Sequence, residues 1–453
     1  MRALAGLAVI GLVAASCGSD SDSSDDSAAP AVTEAEVDET AAPAGTEPAV
    51  TAPADSEPAG TAPADSEPTD TDAAGGGDGF ASLAPPEGEP IIVGMVNTEG
   101  SPGLDFPELS AATRAAADFL NEHGGMGGRP VQVEICNADG APESSQACAQ
   151  ELVGKGVEMI MLGLDLFPGY DTYTASDVPV TGVLPILPGD YTANALFLGG
   201  GNTTTTAAMA GFAKEELGAT TAGIISADNA GANGTEADLI KALDAAGITY
   251  VSIKGGDNET DAGFQGLMSQ ATADDPDVLF SLYADAGCIG TMRGRVALGI
   301  ETPVLTTAIC SSAEVIDVVG DDATGWYFVG GQTERSGTPE AEDYQAILDT
   351  LGYSNTTELG LGNLAVTGLL TLATIANGLA AEGADVTGAS IYETLGASDG
   401  LVNWPDGNPL ACGSVATLPT ICAFTFPIAT YVSGEGIQTV PGYEAFDTTP
   451  FLP

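Results

Sequence analysis

The chain predicts an α/β fold arranged as two lobes with a cleft between them. Three observations carry this reading. Short β-branched apolar runs alternate with helical periodicity, that string occurs twice, and a glycine-rich joint, Gly199-Gly200-Gly201-Asn202, separates the copies. At 453 residues with 44% apolar content, the chain is long enough to bury two domain-sized cores.

The first copy opens at residues 91–96, IIVGMV, a strand apolar enough to be buried on both faces. Leu109, Ala112, Ala116, Phe119 and Leu120 then recur at helical spacing, and His123-Gly124-Gly125 ends that helix. Residues 131–135 alternate apolar and polar side chains and form the next strand. A helix at 144–155 and strands at 157–162 and 178–183 follow. Beyond the joint, a helix at 204–216 leads into strands at 221–226, 248–254, 278–283 and 303–307. These are separated by helices at 236–246, 262–271 and 288–298. The C-terminal part starts no new domain. A strand at 326–330, helices at 339–350, 364–379 and up to 395, and hairpins after 401 complete the two sheets. The chain then crosses between lobes more than once: 90–203 and 335–405 in one, 204–334 and 406–453 in the other.

The N-terminal segment has a different character. Residues 1–17 carry one Arg, an apolar run and small residues before Cys17, the pattern of a secretory signal too short to span a bilayer. Val13-Ala14-Ala15-Ser16-Cys17 resembles the bacterial lipobox, which implies that Cys17 is lipidated and anchors an extracytoplasmic protein to the cell membrane. Residues 18–89 form an acidic Pro/Ala linker. From 18 to 90 there are 18 acidic residues, no Lys or Arg, and the tandem TAPADSEPAG and TAPADSEPTD. Such a stretch has almost nothing to bury and reads as a disordered tether.

Charge and cysteines narrow the function. With 64 acidic and 10 basic residues, net −54, the surface repels nucleic acid and anionic lipid. Six cysteines beyond Cys17 fall as neighbours: Cys136 and Cys148, Cys288 and Cys310, Cys412 and Cys422. Fifteen pairings are possible on paper; adjacent elements favour the sequential one in an exported protein. His123 is the only histidine and sits at a helix end, so a Ser-His-Asp triad or a His-rich metal site has no basis. No Walker loop and no GxGxxG occurs, and no cofactor is expected.

Ligands of open α/β sheets bind at the carboxyl ends of strands. The loops there bring Asn97, Glu99, Asp105 and Phe106, then Asp165 and Phe167, and from the second copy Asp228, Asn229, Tyr283 and Asp285. Aromatics with a few polar groups make a small-molecule cleft. The competing reading of each polar residue is a helix N-cap or a solvated loop position. None of these loops carries Lys or Arg, which favours cationic, amino-bearing or neutral amide ligands over phosphates and dicarboxylates.

Several stretches carry a family resemblance: Ala112-Thr113-Arg114-Ala115, Phe119-Leu120-Asn121, Gly124-Gly125-Met126-Gly127-Gly128-Arg129-Pro130-Val131, Asn137-Ala138-Asp139 with Pro142, and Glu151-Leu152-Val153. In the second copy, the strand at 221–226, the Gly231 loop, Phe264 and Asp275 to Val278 add to it. From about Pro90 to Tyr443 the chain resembles the type I periplasmic binding proteins, and within them the branched-chain amino acid-binding receptors of ABC importers. The resemblance implies two Rossmann-like lobes closing on a small ligand, such as an amino acid, amide or related molecule, for delivery to an ABC permease. It also implies hydroxyls after the third and fourth strands to take a ligand carboxylate. Here those loops, Gly163-Leu164-Asp165-Leu166-Phe167-Pro168 and Leu184-Pro185-Ile186-Leu187-Pro188-Gly189-Asp190, lack the Ser/Thr run. A sensor that reports ligand to a signalling partner is the alternative function.

Overall fold

The computed structural model describes residues 79–101, 105–330, 339–353, 359–398, 401–402 and 409–453. Cys17, the signal segment and residues 18–78 of the expected tether lie outside them.

The repeated string becomes two sheets of like topology. In the first lobe β1 (Ile91–Thr98), β2 (Val131–Ala138), β3 (Met159–Leu162), β4 (Val180–Gly182) and β5 (Leu196–Phe197) run parallel in the order β2-β1-β3-β4-β5. In the second, β6 (Thr221–Ala227), β7 (Thr249–Gly255), β8 (Val278–Leu282), β9 (Val304–Thr307) and β10 (Trp326–Val329) repeat it as β7-β6-β8-β9-β10. The ribbon of β11 (Leu401–Val402) and β12 (Pro409–Leu410) and the pair of β13 (Thr425–Phe426) with β16 (Phe446–Asp447) are antiparallel. The hairpin of β14 (Ile428–Val432) and β15 (Gly436–Thr439) extends the second sheet beyond β10.

Both sheets are covered on both faces, as parallel sheets require. In β1, Ile91, Val93 and Met95 face the helices Pro107–Glu122, Pro339–Leu351 and Gly362–Ala381. Val96 faces the opposite layer, with Cys148, Leu152 and Tyr173. The helix Gly362–Ala381 is long and apolar enough to cross a membrane, yet Ala365, Val366, Leu369 and Leu372 are fully buried in the first lobe, and this makes it a core helix. The helix Pro107–Glu122 takes proline in its first turn and stops at His123, whose ring packs on Phe119 at 4.6 Å. Gly125 follows at φ +63, where a Cβ would lie 2.1 Å from the Arg129 carbonyl oxygen. Arg129 ties this corner down through Glu158 at 2.6 Å and the carbonyls of Glu89, Pro90 and Val386.

Several expectations move. The short helices Tyr170–Ala175 and Ala313–Val319 and the strand β5 carry too few residues for periodicity to show. The helix expected from 236 begins at Ala230, because Asn229 caps it by accepting from the Ala232 N–H at 2.8 Å. The segment expected to be featureless up to residue 89 contains Phe80, which is 4% exposed and joins the first lobe's core. The Asp343 carboxylate holds it there by accepting from the Phe80 and Ala81 N–H groups. Leu410, Cys422 and Ala423 pack with the first lobe and Ile428 with the second, so the last crossing falls after Phe424 rather than at 405. All three sequential disulfides are formed: Cys136–Cys148, Cys288–Cys310 and Cys412–Cys422.

Candidate functional site

In each lobe the strand order reverses direction at one point, between β1 and β3 and between β6 and β8. Loops leaving neighbouring strands diverge there and open a crevice at the carboxyl edge. The candidate residues cluster around these two points.

In the first lobe Asn97 is fully buried and spans the crevice. Its side-chain carbonyl accepts from the Leu164 N–H at 3.0 Å, and its amide donates to the Phe106 carbonyl at 2.7 Å and to Glu99 at 3.0 Å. Gly163 makes room, since a Cβ there would meet Asn97 Oδ1 at 2.7 Å. Asn97 therefore positions the loops and has little left for a ligand. Glu99 is half-buried; Asn97 and Ser110 donate to its Oε1, and Asn137 donates to Oε2 at 2.8 Å. Three neutral donors fix this carboxylate, and among the described residues no cation pairs with it. Asp105 is exposed and accepts from the Gly100 N–H at 2.8 Å. Phe106 is half-buried against the first lobe's core at the start of the helix Pro107–Glu122.

The loop after β3 divides its two candidates. Asp165 is 2% exposed and turns inward, accepting from the Ser145 hydroxyl and from the Phe167 N–H at 3.2 Å. Burial pushes its carboxyl above the usual range, against the pull of those two donors. Phe167 turns outward and leaves 40% of its surface exposed. Tyr170 and Asp190 were not singled out from the sequence. The Tyr170 hydroxyl donates to Asp190 Oδ1 at 2.7 Å, and Asp190 Oδ2 accepts from the N–H groups of Ile186 and Leu187. One buried carboxylate thus shapes the loop after β4 and ties it to the loop after β3. The Pro188-Gly189-Asp190 turn is the local signal that could have pointed to it.

In the second lobe the residues take different stations. Asp228 is exposed, with Asn233 at 3.4 Å. Asn229 is occupied as a helix cap, and its amide donates to Asp257. Tyr283 is 5% exposed and sits in the core, its ring edge-on to Phe264 at 5.5 Å. Burial, with Glu259 and Asp257 nearby, pushes its phenol up to about 12. Asp285 is exposed and begins the helix Asp285–Leu298 at φ +44, a conformation that costs a side-chain-bearing residue energy. The Cys288–Cys310 bond, buried at both ends, joins that helix to the loop after β9. A separate cavity of about 210 Å³ lies beside the loop after β7, walled in part by Asp257, Glu259, Phe264 and Arg293. It includes none of the expected residues.

The exposed groups at the two edges are therefore Asp105 and Phe167 on one lobe, with Glu99 half-buried beside them, and Asp228 and Asp285 on the other. Carboxylates with one exposed ring can hold an amino group or other hydrogen-bond donor against an apolar body.

A family model described as periplasmic binding protein matches residues 90–410. No curated protein sequence matches the chain. Among solved structures, the chain is similar to an ABC transporter substrate-binding protein from Sphaerobacter thermophilus. The TM-score is 0.61 at 18% identity, over 79% of this chain and 100% of that one. A branched-chain amino acid transporter substrate-binding protein from Streptococcus pneumoniae, in complex with isoleucine, aligns at 0.57 and 14% identity over 78% and 99%. A solute-binding protein from R. palustris, in complex with 4-hydroxybenzoate, aligns at 0.58 and 17% identity over 79% and 97%. At these identities the structural likeness establishes the fold.

Proposed function

Since the chain belongs to the periplasmic binding protein family, we propose that it is an extracytoplasmic receptor which closes its two lobes on a small polar ligand and hands it to an ABC permease. In this reading the protein binds and releases without catalysis, and a lipidated Cys17 anchors it to the membrane. The observation that carries the proposal is the pair of matching reversals of strand order, at β1/β3 and β6/β8, whose loops hold carboxylates and an exposed aromatic but neither Lys nor Arg. A ligand bearing an amino group or an amide fits those walls. A bare anion would have no counter-charge there. Glu99, Asp105 and Phe167 would meet it from one lobe, Asp228 and Asp285 from the other. Isoleucine and 4-hydroxybenzoate in two similar folds show how widely ligand chemistry varies on this architecture.

Native mass spectrometry of protein purified without denaturation tests the proposal. One small molecule should co-purify, and adding it back to stripped protein should raise the melting temperature. A protein that carries nothing and gains no stability from amino acids, amines or amides would sink it.

A further inference from the structure

Five buried oxygens of the first lobe have no hydrogen-bond partner among the described residues: Thr367 Oγ1, Thr420 Oγ1 and a set of three, Thr98 Oγ1, Asp165 Oδ2 and the Tyr173 hydroxyl. The residues of that set are 1%, 2% and 0% exposed, so water does not reach them from the surface. Thr98 and Asp165 lie at the carboxyl edge of one sheet, and Tyr173 stands on the helix Tyr170–Ala175 that follows the loop after β3. The Thr98 N–H donates to the Leu164 carbonyl at 2.8 Å, which sets Thr98 next to Asp165. Strand alternation sends Thr98 to the face of Val96, the layer that holds Tyr173. Asp165 reaches that layer through Ser145 on the helix Pro142–Gly154, and its charge is felt by the Tyr173 phenol.

The charge balance is as one-sided as the hydrogen bonding. Asp190, also buried, has both oxygens satisfied. Asp165 has one oxygen satisfied and one not. Among the described residues, the basic groups of this lobe are engaged or placed elsewhere: Arg129 with Glu158, Lys155 with Glu134 and Glu151, Arg114 exposed, and His123 against Phe119. A buried carboxylate without a counter-charge is unfavourable, and proteins resolve this with a counter-ion, a metal or a proton.

We infer that Thr98, Asp165 and Tyr173 form a buried site for an alkali-metal cation beneath the loop that follows β3. Carboxylate and hydroxyl oxygens are hard ligands, suited to hard cations rather than to soft transition metals. One free carboxylate oxygen matches a single positive charge. Among the described residues no group of three or more His, Cys, Asp or Glu is placed to hold a metal, which sets a divalent, carboxylate-rich site aside. The cation would neutralise Asp165 and fix the loop that presents Phe167. This site lies under the proposed ligand cleft and does not depend on what the cleft binds.

Thermal unfolding of the full chain at pH 7 and constant ionic strength, in NaCl, KCl or choline chloride, tests the inference. The melting temperature should stand about 3 °C or more higher in at least one alkali chloride than in choline chloride, a shift of about 2 kcal/mol for a chain of this size. Asp165→Asn should abolish that difference, and Thr98→Val, a milder change, should reduce it. Equal melting temperatures of the parent in all three salts would overturn the site. So would a cation-specific gain that persists in both variants. An Asp165→Asn protein more stable than the parent in every salt would assign the carboxyl a proton in place of the cation.

Discussion

The Tyr170 hydroxyl donates to the Asp190 carboxylate at 2.7 Å, and this one bond couples the loops that follow β3 and β4. Both groups are largely removed from water, and burial together with Asp190 pushes the Tyr170 phenol far above its ordinary value, so it stays a donor at any physiological pH. Asp190 also takes the Ile186 and Leu187 N–H groups, at 2.7 and 2.8 Å. The loops after β3 and β4 are thus one connected unit.

Tyr170→Phe removes the shared bond and keeps the ring. It should lower stability by about 1.5–3 kcal/mol, the range for a hydrogen bond to a charged group. Ligand affinity should fall as well, because the two loops lose their common register. Denaturant unfolding and calorimetric titration with the co-purified ligand measure the two effects. Unchanged values in both would mean that the loops are held by other contacts.

Phe167 is the aromatic side chain that the loop after β3 leaves open, whereas Tyr283 is packed against Phe264. Phe167→Ala should weaken ligand binding by about 2 kcal/mol, roughly thirty-fold, with the fold unchanged by circular dichroism. Tyr283→Ala should instead destabilise the second lobe by about 3 kcal/mol or more, as large-to-small core changes do. Reversed outcomes in titration and melting would exchange the two roles.

Removing residues 18–78 should leave the melting temperature unchanged. Extending the deletion through Pro90 should lower it, since Phe80 leaves the core and Asp343 loses the Phe80 and Ala81 N–H groups. The loss should be about 2 kcal/mol or more, the value of burying a large apolar side chain. Equal melting temperatures for the two truncations would show that Phe80 adds nothing.

Cys288 and Cys310 are both fully buried and 22 residues apart in sequence. Replacing both with alanine should cost about 3 kcal/mol in the loop-entropy description. It should also loosen the second wall, where the bond joins the Asp285 helix to the loop after β9. Peptide mapping without reductant should recover this pair, and free thiols at either position would contradict it.

Asp277 accepts from the Thr220 N–H and hydroxyl, then from the same groups of Thr221, and these bonds hold its carboxyl down at about 2. The folded value lies below that of the unfolded chain, about 4. The bonds therefore stabilise the fold above pH 4, and the gain is lost as pH falls through about 2. Asp277→Asn should lower the melting temperature at pH 7, modestly because the group is exposed, and the gap should close near pH 2. A gap of the same size at both pH values would rule out the carboxylate as its source.

Local pattern alone settled much of this protein. Apolar runs such as 91–96 and 278–282 must be strands, because only a covered parallel sheet buries both of their faces. The repeat of that string predicted two lobes, and cysteines on adjacent elements favoured the three sequential bonds that the structure forms. What each candidate side chain does was decided only in three dimensions. Asn97 bonds Leu164 across 67 positions, and Phe80 meets Asp343 across 263, so neither partner lies in any local window. Phe167 and Tyr283 look alike in sequence, each an aromatic just beyond an apolar strand. One is exposed and the other enclosed because Phe264, on another helix, packs over Tyr283. Periodicity says which face of an element seeks the core, while exposure and pairing depend on what the rest of the chain brings to that face.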